Sequence, residues 1–565
     1  MVNDNIILWD KEHSSPKILT DNLSDKQKYS YLSTDARPIF IEEKYLMTLL
    51  FPNIDDSIFS KTVWADKSNN YNINGTKLNG SIYDYFRKTD LSYLRSKVKT
   101  FQPTNDMIAK EKEIFNSFVS NNKERLDYIL TNKNKDNEGY SIGAEPFINE
   151  VIHKYDKRLV NVSFSGGKDS IAVSNLVRRT TVTNDIVHFF ANTTIEDPLN
   201  YNFIKQFQEN NSNVLLLEFK NENQNFFDLA EKIGPPSRRK SWCCSIFKTG
   251  PIGSYYSGIK ENLLTFYGIR RSESTSRSKY NRVVQSPKLK KQIVASPIID
   301  WKDIDVWLYL FSINAQINPA YRFGYSRVGC WCCPNNSNWS DILNALYIPD
   351  KFDNWSDQLI EFAKKIGKPD PEEYTYQGFW KARAGGEGLT KAKEVKFKVK
   401  QEDERSRTYF LTKELDISFY EYFKPFGQIG IRNDEIQNGL VNIIDKKTKE
   451  SIIRIEARLG EKVVNIKILK DLLNRYLISE NKNKVINHNI FNYIEKQIRK
   501  FQVCINCKAC TGTCPVSAIK VLEKNKLPYY IYEYKCINCL KCVDHFPKGC
   551  LIASALDTKK VENEL

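Results

Sequence analysis

The chain has 565 residues, 41% hydrophobic and 12% aromatic, with 84 Lys and Arg against 68 Asp and Glu for a formal charge of +16. That length exceeds one hydrophobic core and predicts about three to four domains, and the composition excludes a disordered or fibrous chain. No run approaches the ~20 apolar residues of a bilayer span and residues 1–11 lack a secretory apolar stretch, so a cytoplasmic protein without a membrane partner is expected.

Residues 1–135 read as an N-terminal accessory region. Within it, 105–130 predict one amphipathic helix with Ile108, Phe115, Phe118, Leu126 and Ile129 near one face, and the polar stretch 131–139 predicts a linker. From 140 to 345 the pattern alternates. Strands are expected at 159–164, 186–191, 214–219 and 263–267, with helices at 171–178, 199–209 and 226–233. Such alternation predicts an α/β fold with a parallel sheet covered on both faces and ligands at the carboxyl ends of its strands.

At one such end stands Ser165-Gly166-Gly167-Lys168-Asp169-Ser170. Two glycines let the backbone turn sharply and bring N–H groups to an anion, Ser163, Ser165 and Ser170 supply hydroxyls, and Lys168 supplies a point charge. The following helix directs its N-terminus at the same anion. A Walker A loop requires Gly, four residues, then Gly-Lys-Ser/Thr, which this stretch lacks. The S-G-G-x-D-S form instead resembles the PP-loop of ATP pyrophosphatases, which cleave ATP between its α and β phosphates and activate a substrate as an adenylate. ATP with Mg²⁺ is the expected ligand, with Asp169 near the metal.

Further on, 346–400 read as an extension, helical over 339–366 and loop-like over 372–388 around Trp380 and Arg383. A small α+β domain is expected over 401–500, from strands at 429–431, 440–444, 452–457 and 462–466 and helices at 468–477 and 490–501. Residues 501–555 carry most of the cysteines.

All 13 cysteines follow residue 242, and in a reducing compartment such clustering points to metal or catalysis rather than disulfides. Cys504, Cys507, Cys510 and Cys514-Pro515 have the C-x2-C-x2-C-x3-C-P spacing of bacterial ferredoxins, and Cys536, Cys539 and Cys542 repeat its first three positions. In that arrangement the fourth cysteine serves the other cluster, so Cys514 is expected to complete the second set. The reciprocal position holds Phe546, and Cys550 is the available replacement for the first set; one or two 4Fe–4S clusters are expected here. The remaining group is Cys243-Cys244 and Cys330-Trp331-Cys332-Cys333-Pro334. A Cys-Cys pair followed at this distance by C-x2-C resembles the 4Fe–4S signature of adenylyl-sulfate reductases. That resemblance implies Cys243, Cys244, Cys330 and Cys333 as ligands and leaves Cys332 as an additional thiol.

With the loop and both cysteine groups, the central residues resemble the phosphoadenylyl-sulfate (PAPS) reductase family. The likeness extends to Tyr267-Gly268-Ile269-Arg270-Arg271-Ser272-Glu273-Ser274, Arg277, Pro297, Trp301, Asp305-Val306-Trp307, Asn318-Pro319, Tyr321, Gly324, Arg327 and Gly329-Cys330. It implies that Gly268, Arg270 and Arg277 line the nucleotide site, the arginines contacting phosphate or sulfate oxygens with their planar forks. Trp301 and Trp307 are expected in the core. The reductases of the family carry a nucleophilic cysteine in a Glu-Cys-Gly-x-His motif that this sequence does not contain.

The combination is similar to sulfur-transfer components of bacterial DNA phosphorothioation systems, the single-strand (Ssp-type) branch more than the Dnd-type. This resemblance implies an ATP pyrophosphatase and sulfurtransferase for bacterial defence, with Lys168, Asp169, Arg270 and Cys332 as candidate catalytic groups. DNA, a cysteine desulfurase and other subunits of the modification system are the implied partners, and the positive charge fits a polyanion. Assimilatory reduction of adenylyl or phosphoadenylyl sulfate and tRNA thiolation remain the alternatives.

Overall fold

Six short runs between 159 and 295 pair into one sheet whose order, from one edge, is Leu216–Lys220, Val187–Asn192, Leu159–Ser163, Leu263–Phe266, Gln292–Ala295 and Val283–Gln285. The computed structural model describes residues 7–19, 29–156, 158–181, 186–212, 214–222, 224–238, 240–258, 261–286, 291–382, 394–430, 439–470, 490–521 and 529–556. All neighbours in this sheet are parallel except the edge strand Val283–Gln285, which runs antiparallel to Gln292–Ala295. The protein is α/β, as the alternation predicts.

Neighbouring residues on these strands point to opposite faces, so a sheet covered on both sides needs apolar residues at consecutive positions. Phe190 and Leu264 join the core beneath helices Ala144–Lys154, Lys168–Thr181 and Asp303–Ser312. Their neighbours Phe189 and Leu263 pack on the other face with Phe219 and Ile252. Trp301 and Trp307 are buried in the first of these cores. Strand order reverses between Leu159–Ser163 and Leu263–Phe266, and ligands of open α/β sheets bind at such a switch point.

The expected single helix over 105–130 is two, Asn105–Asn121 and Lys123–Thr131. Asn122 interrupts it: its side-chain carbonyl accepts from the Trp9 N–H at 2.7 Å, and its amide donates to the Ile7 carbonyl at 2.7 Å. This stitches the N-terminal strand Ile7–Asp10 to the junction, while Ile108 points outward, 48% exposed. The polar stretch 131–139 is anchored rather than a free linker. Asp136 pairs with Arg282 at 3.0 Å and Glu138 with Arg271 at 2.6 Å.

Residues 339–366 form two helices, Asn338–Tyr347 and Pro349–Lys365, and the loop expected after them is mainly the helix Pro371–Tyr376 and a 3-10 turn, Phe379–Ala382. Arg383 and the helix expected over 468–477 lie largely outside the described residues. The small α+β region is a six-stranded antiparallel sheet, in the order Lys398–Gln401, Ser406–Phe410, Val463–Ile468, Ser451–Glu456, Leu440–Ile444 and Gln428–Gly430. The first two strands have no counterpart in the sequence reading, because their alternation is diluted by lysines and arginines. Helix Ile490–Val503 packs on this sheet, and one apolar core joins the sheet to Ala518, Tyr529, Ile531 and Val543 of the cysteine-rich end. A boundary at 500/501 therefore falls inside a helix and a shared core.

Candidate nucleotide and cysteine sites

The serine-glycine loop leaves the strand Leu159–Ser163 and enters the helix Lys168–Thr181. Ser163 closes the strand, and its side chain lies near the Tyr267 hydroxyl. The Ser165 N–H donates to Ser170 Oγ at 3.1 Å, the Ser170 hydroxyl donates to the Gly167 carbonyl at 2.8 Å, and the Lys168 N–H donates to Tyr321 Oη at 2.8 Å. Gly166 has φ +76°, and a Cβ there would stand 2.2 Å from Asn200 Oδ1. Only glycine suits that conformation and that approach. A Cβ on Gly268 would stand 2.7 Å from the Asp169 carbonyl carbon, so the segment after Leu263–Phe266 lies directly on the loop.

Beneath the loop two cations and two carboxylates form a compact lattice. Lys168 Nζ lies 3.2 Å from Asp169 and 3.1 Å from Asp303, while Arg270 lies 2.6 Å from Asp169 and 3.0 Å from Asp303. Lys168 is 5% exposed and Arg270 2%. Burial alone would lower both cations, but the facing carboxylates outweigh it and hold them above their ordinary ranges. Burial would likewise raise Asp303, yet Lys168 and Arg270 bring it down to about 2. Each oxygen of Asp169 is engaged by one of the two cations. Asp303, absent from the sequence reading, is signalled only by its place at a helix start after Trp301. Arg277 is on an exposed turn and pairs with Glu273, which also accepts from the Arg270 N–H at 3.1 Å.

Cys243 and Cys244 end a short helix, Trp242–Cys244, which runs into a π-helical turn, Ser245–Thr249, a distortion frequent at functional sites. The Cys330 loop comes from elsewhere in the chain to the carboxyl end of the sheet. A backbone bridge pairs Glu196 with Cys330, the Asp197 N–H donates to the Gly329 carbonyl at 3.1 Å, and the Trp331 N–H donates to the Ile195 carbonyl at 3.1 Å. Cys330 Sγ lies 3.2 Å from Thr193 Oγ1. The Cys243 thiol is raised first by its hydrogen bond with Cys244, then by burial and by Cys330 and Cys333 nearby. Cys244, Cys330 and Cys333 thus lie in the neighbourhood of the Cys243 thiol. Lys248, which the sequence reading missed, faces them too: Cys330 raises it most, burial opposes, and Glu196, Cys244 and Cys333 add to the rise. Its signal was its place four residues beyond Cys244, one helical turn on. Cys332 is buried among Trp331, Trp355 and Leu359, and burial first, then Cys330 and Cys333, push its thiol well up. Burial raises the Cys330 thiol in the same way.

At the carboxyl end the cysteine thiols lie close enough to raise one another. Burial raises Cys507, followed by Cys510, Cys504 and Cys550 nearby; Cys542 is raised by burial and by Cys510, Cys514 and Cys536, and Cys536 by burial and by Cys514 and Cys539. Cys550 thus stands near Cys504 and Cys507, and Cys514 near Cys542 and Cys536, while Cys510 adjoins Cys504, Cys514 and Cys542. Lys500, 1% exposed, donates to Tyr529 Oη at 2.9 Å. Burial would lower it, yet Cys510, Cys542, Cys504 and Cys550 raise it. Among the described residues no carboxylate pairs with this ammonium, and none of the described side chains form a site for a single metal ion. Buried cations need anionic partners, and thiolate-ligated iron–sulfur clusters supply them at a spacing wider than one ion demands. The donor sets fit such clusters.

The core and carboxyl-terminal centres adjoin. Cys243, Cys332 and Cys550 belong to one apolar core, with Cys244, Cys330 and Cys507 packed against it. Helix Leu551–Leu556 packs on helices Phe226–Ile233 and Trp242–Cys244, and the Lys240 ammonium donates to the Ser554 carbonyl.

Comparison with known proteins agrees with this two-part arrangement. Residues 159–336 match the phosphoadenosine phosphosulfate reductase domain and residues 496–547 the 4Fe-4S dicluster domain. The chain is therefore an α/β protein whose central part is similar to a PAPS reductase domain and whose carboxyl end is similar to a 4Fe-4S dicluster domain. An uncharacterized protein of Methanocaldococcus jannaschii is 33% identical over 223 residues, 39% of this chain and 51% of that protein. An adenosine 5'-phosphosulfate reductase of Lysinibacillus sphaericus is 33% identical over 103 residues, 18% of this chain and 42% of that protein. The chain spans about half the length of the first curated relatives it matches. A PAPS reductase structure from Candida auris, in a phosphate complex, aligns with TM-score 0.27 and 16% identity over 33% of this chain and 88% of that one. Among the described residues no helix is long and apolar enough to cross a membrane.

Proposed function

We propose that this chain is an ATP-dependent sulfurtransferase that activates a DNA backbone phosphate and replaces one of its non-bridging oxygens with sulfur. The observation that supports this most is that the Cys330 loop bridges Glu196 at the carboxyl end of the sheet and Glu196 is linked through Asn200 to the Ser165 carbonyl of the nucleotide loop. The formal charge of +16 suits a nucleic-acid acceptor.

In this reading the N–H groups and hydroxyls of residues 165–170 hold the ATP phosphates, and Lys168 and Arg270, balanced by Asp169 and Asp303 in the free protein, are the cations nearest to them. A phosphate oxygen of the acceptor bonds to the α-phosphorus, the α–β bridging bond breaks, and pyrophosphate leaves. The terminal sulfur of a desulfurase persulfide then bonds to the activated phosphorus, and the bond to AMP breaks with its electron pair leaving on AMP. Two electrons, delivered one at a time by an external donor protein, and one proton then cleave the S–S bond, returning the desulfurase cysteine as a thiol and leaving the sulfur on phosphorus as the phosphorothioate. Bound clusters would supply the electron transfer and, in the core, a thiolate-rich place to receive sulfur. Lys248 would balance negative charge beside Cys330.

Mass spectrometry of digested DNA and tRNA from cells with and without the gene tests this reading: a phosphorothioate dinucleotide that disappears with the gene supports it, and gene-dependent thiolation of tRNA alone refutes it. The domain match and the adenosine 5'-phosphosulfate reductase relatives favour a second reading, reduction of a sulfonucleotide with electrons from the dicluster region. Sulfite release from adenylyl sulfate by the reconstituted protein would select it.

A further inference from the structure

A side-chain chain connects the nucleotide loop to the core cysteines. Asn200, wholly buried on the helix Pro198–Asn210, donates from Nδ2 to the Ser165 carbonyl at 3.2 Å and to Glu196 Oε2 at 3.3 Å. Its carbonyl accepts from Asn318 Nδ2 at 2.8 Å, and Asn318 also donates to the Gly166 carbonyl at 3.2 Å. Glu196, 3% exposed, accepts on its other oxygen from the Thr193 hydroxyl at 2.8 Å, and that oxygen lies 3.7 Å from Cys330 Sγ.

The chain is short and closely packed. Asn200 Oδ1 occupies the space that a Cβ on Gly166 would need, so movement of the loop backbone acts on Asn200 directly. Asn200 is bonded to the Glu196 carboxylate, a charge within 4 Å of a candidate ligand sulfur. In a buried setting the orientation of such a group alters the stability of charge on the sulfur, and groups hydrogen-bonded around a ligand tune the centre it holds.

We propose that Glu196 and Asn200 are positioning residues that couple nucleotide occupancy at residues 165–170 to the redox state of the cluster held through Cys330. The coupling rests on the reading that the loop binds ATP and that Cys330 is a ligand. Coupling between binding sites is reciprocal, so a nucleotide that shifts the potential of the centre binds the oxidised and reduced proteins with different affinities.

The test is calorimetric titration of a non-hydrolysable ATP analogue with Mg²⁺ into the reconstituted full chain, oxidised and then reduced with dithionite, beside an EPR-monitored redox titration with and without the analogue. The expected wild-type result is an affinity ratio of about 5-fold or more between the two states, with one redox transition moved by the analogue. In Glu196→Gln and Asn200→Ala, at unchanged iron content, the ratio falls towards one and the transition stays in place. Equal wild-type affinities in the two states overturn the coupling, whether or not the variants fold. Variants that keep the wild-type ratio overturn the role of these two residues. Analogue that binds neither state overturns the nucleotide reading itself.

Discussion

The nucleotide loop and the carboxyl-terminal cysteine region solve the problem of buried charge in opposite ways. Around the loop, Lys168 and Arg270 are matched by Asp169 and Asp303, so the charges are balanced by the chain's own side chains. At the cysteine end, Lys500 is buried with Tyr529 and thiols as its neighbours. The first region is complete in itself; the second fits the chain together with an added anionic group.

Removing iron breaks the comparison most forcefully. After chelation under reducing conditions, amide exchange over 504–550 should accelerate by about 1,000-fold, some 4 kcal/mol of local stability, while the sheet around Leu159–Ser163 keeps its protection. Equal acceleration in both regions would contradict the asymmetry. A single substitution probes the lattice. Asp303→Ala leaves two buried cations facing one carboxylate and should cost about 3–5 kcal/mol in denaturant unfolding, because breaking a buried ion pair strands a charge.

The pH dependence separates two buried groups of the nucleotide domain. His188 is brought down to about 4, chiefly by burial, with one ring nitrogen 2.8 Å from Ser174 Oγ and the other 2.8 Å from the Ile186 carbonyl. Its folded pKa is below the unfolded value of about 6.5, so the unfolded chain binds the extra proton and stability falls as pH drops from 6.5 towards 4, by up to about 3 kcal/mol. Asp303 is also depressed, to about 2, and its contribution is lost only as pH falls below about 4. Chemical denaturation at stepped pH should show the first decline absent in His188→Asn and present in wild type. The smallest effect is expected at Arg277, half-exposed and paired with Glu273. Arg277→Ala should change stability by less than about 0.5 kcal/mol, so any loss of nucleotide affinity beyond tenfold would mark direct contact with the ligand.

Much of the fold was legible because its signals are local. Strand and helix alternate from 159 to 267 with apolar runs of the right lengths, and the serine-glycine loop is a contiguous motif. The antiparallel edge strand Val283–Gln285 and the lysine-rich strands at 398–410 escaped because short polar edge strands carry little periodicity. In the site, loop residues and cysteines were visible by type and spacing. Asp303, Glu196, Asn200 and Lys248 were not, since ordinary polar residues gain their roles only when folding places them against the loop or a thiol. Cys332, like Cys243, has its side chain in an apolar core, a placement that the cysteine spacing does not reveal.

The most direct measurement is pyrophosphate release from ATP by anaerobically reconstituted wild-type protein and by Lys168→Ala, with iron content and folding matched. The account predicts release by the wild type, stimulated by single- or double-stranded DNA, and a fall of at least ~100-fold in the variant, in line with removal of a preorganised charge from a phosphate site. Release at the wild-type rate by Lys168→Ala, or none from wild type with any nucleic acid, would contradict it.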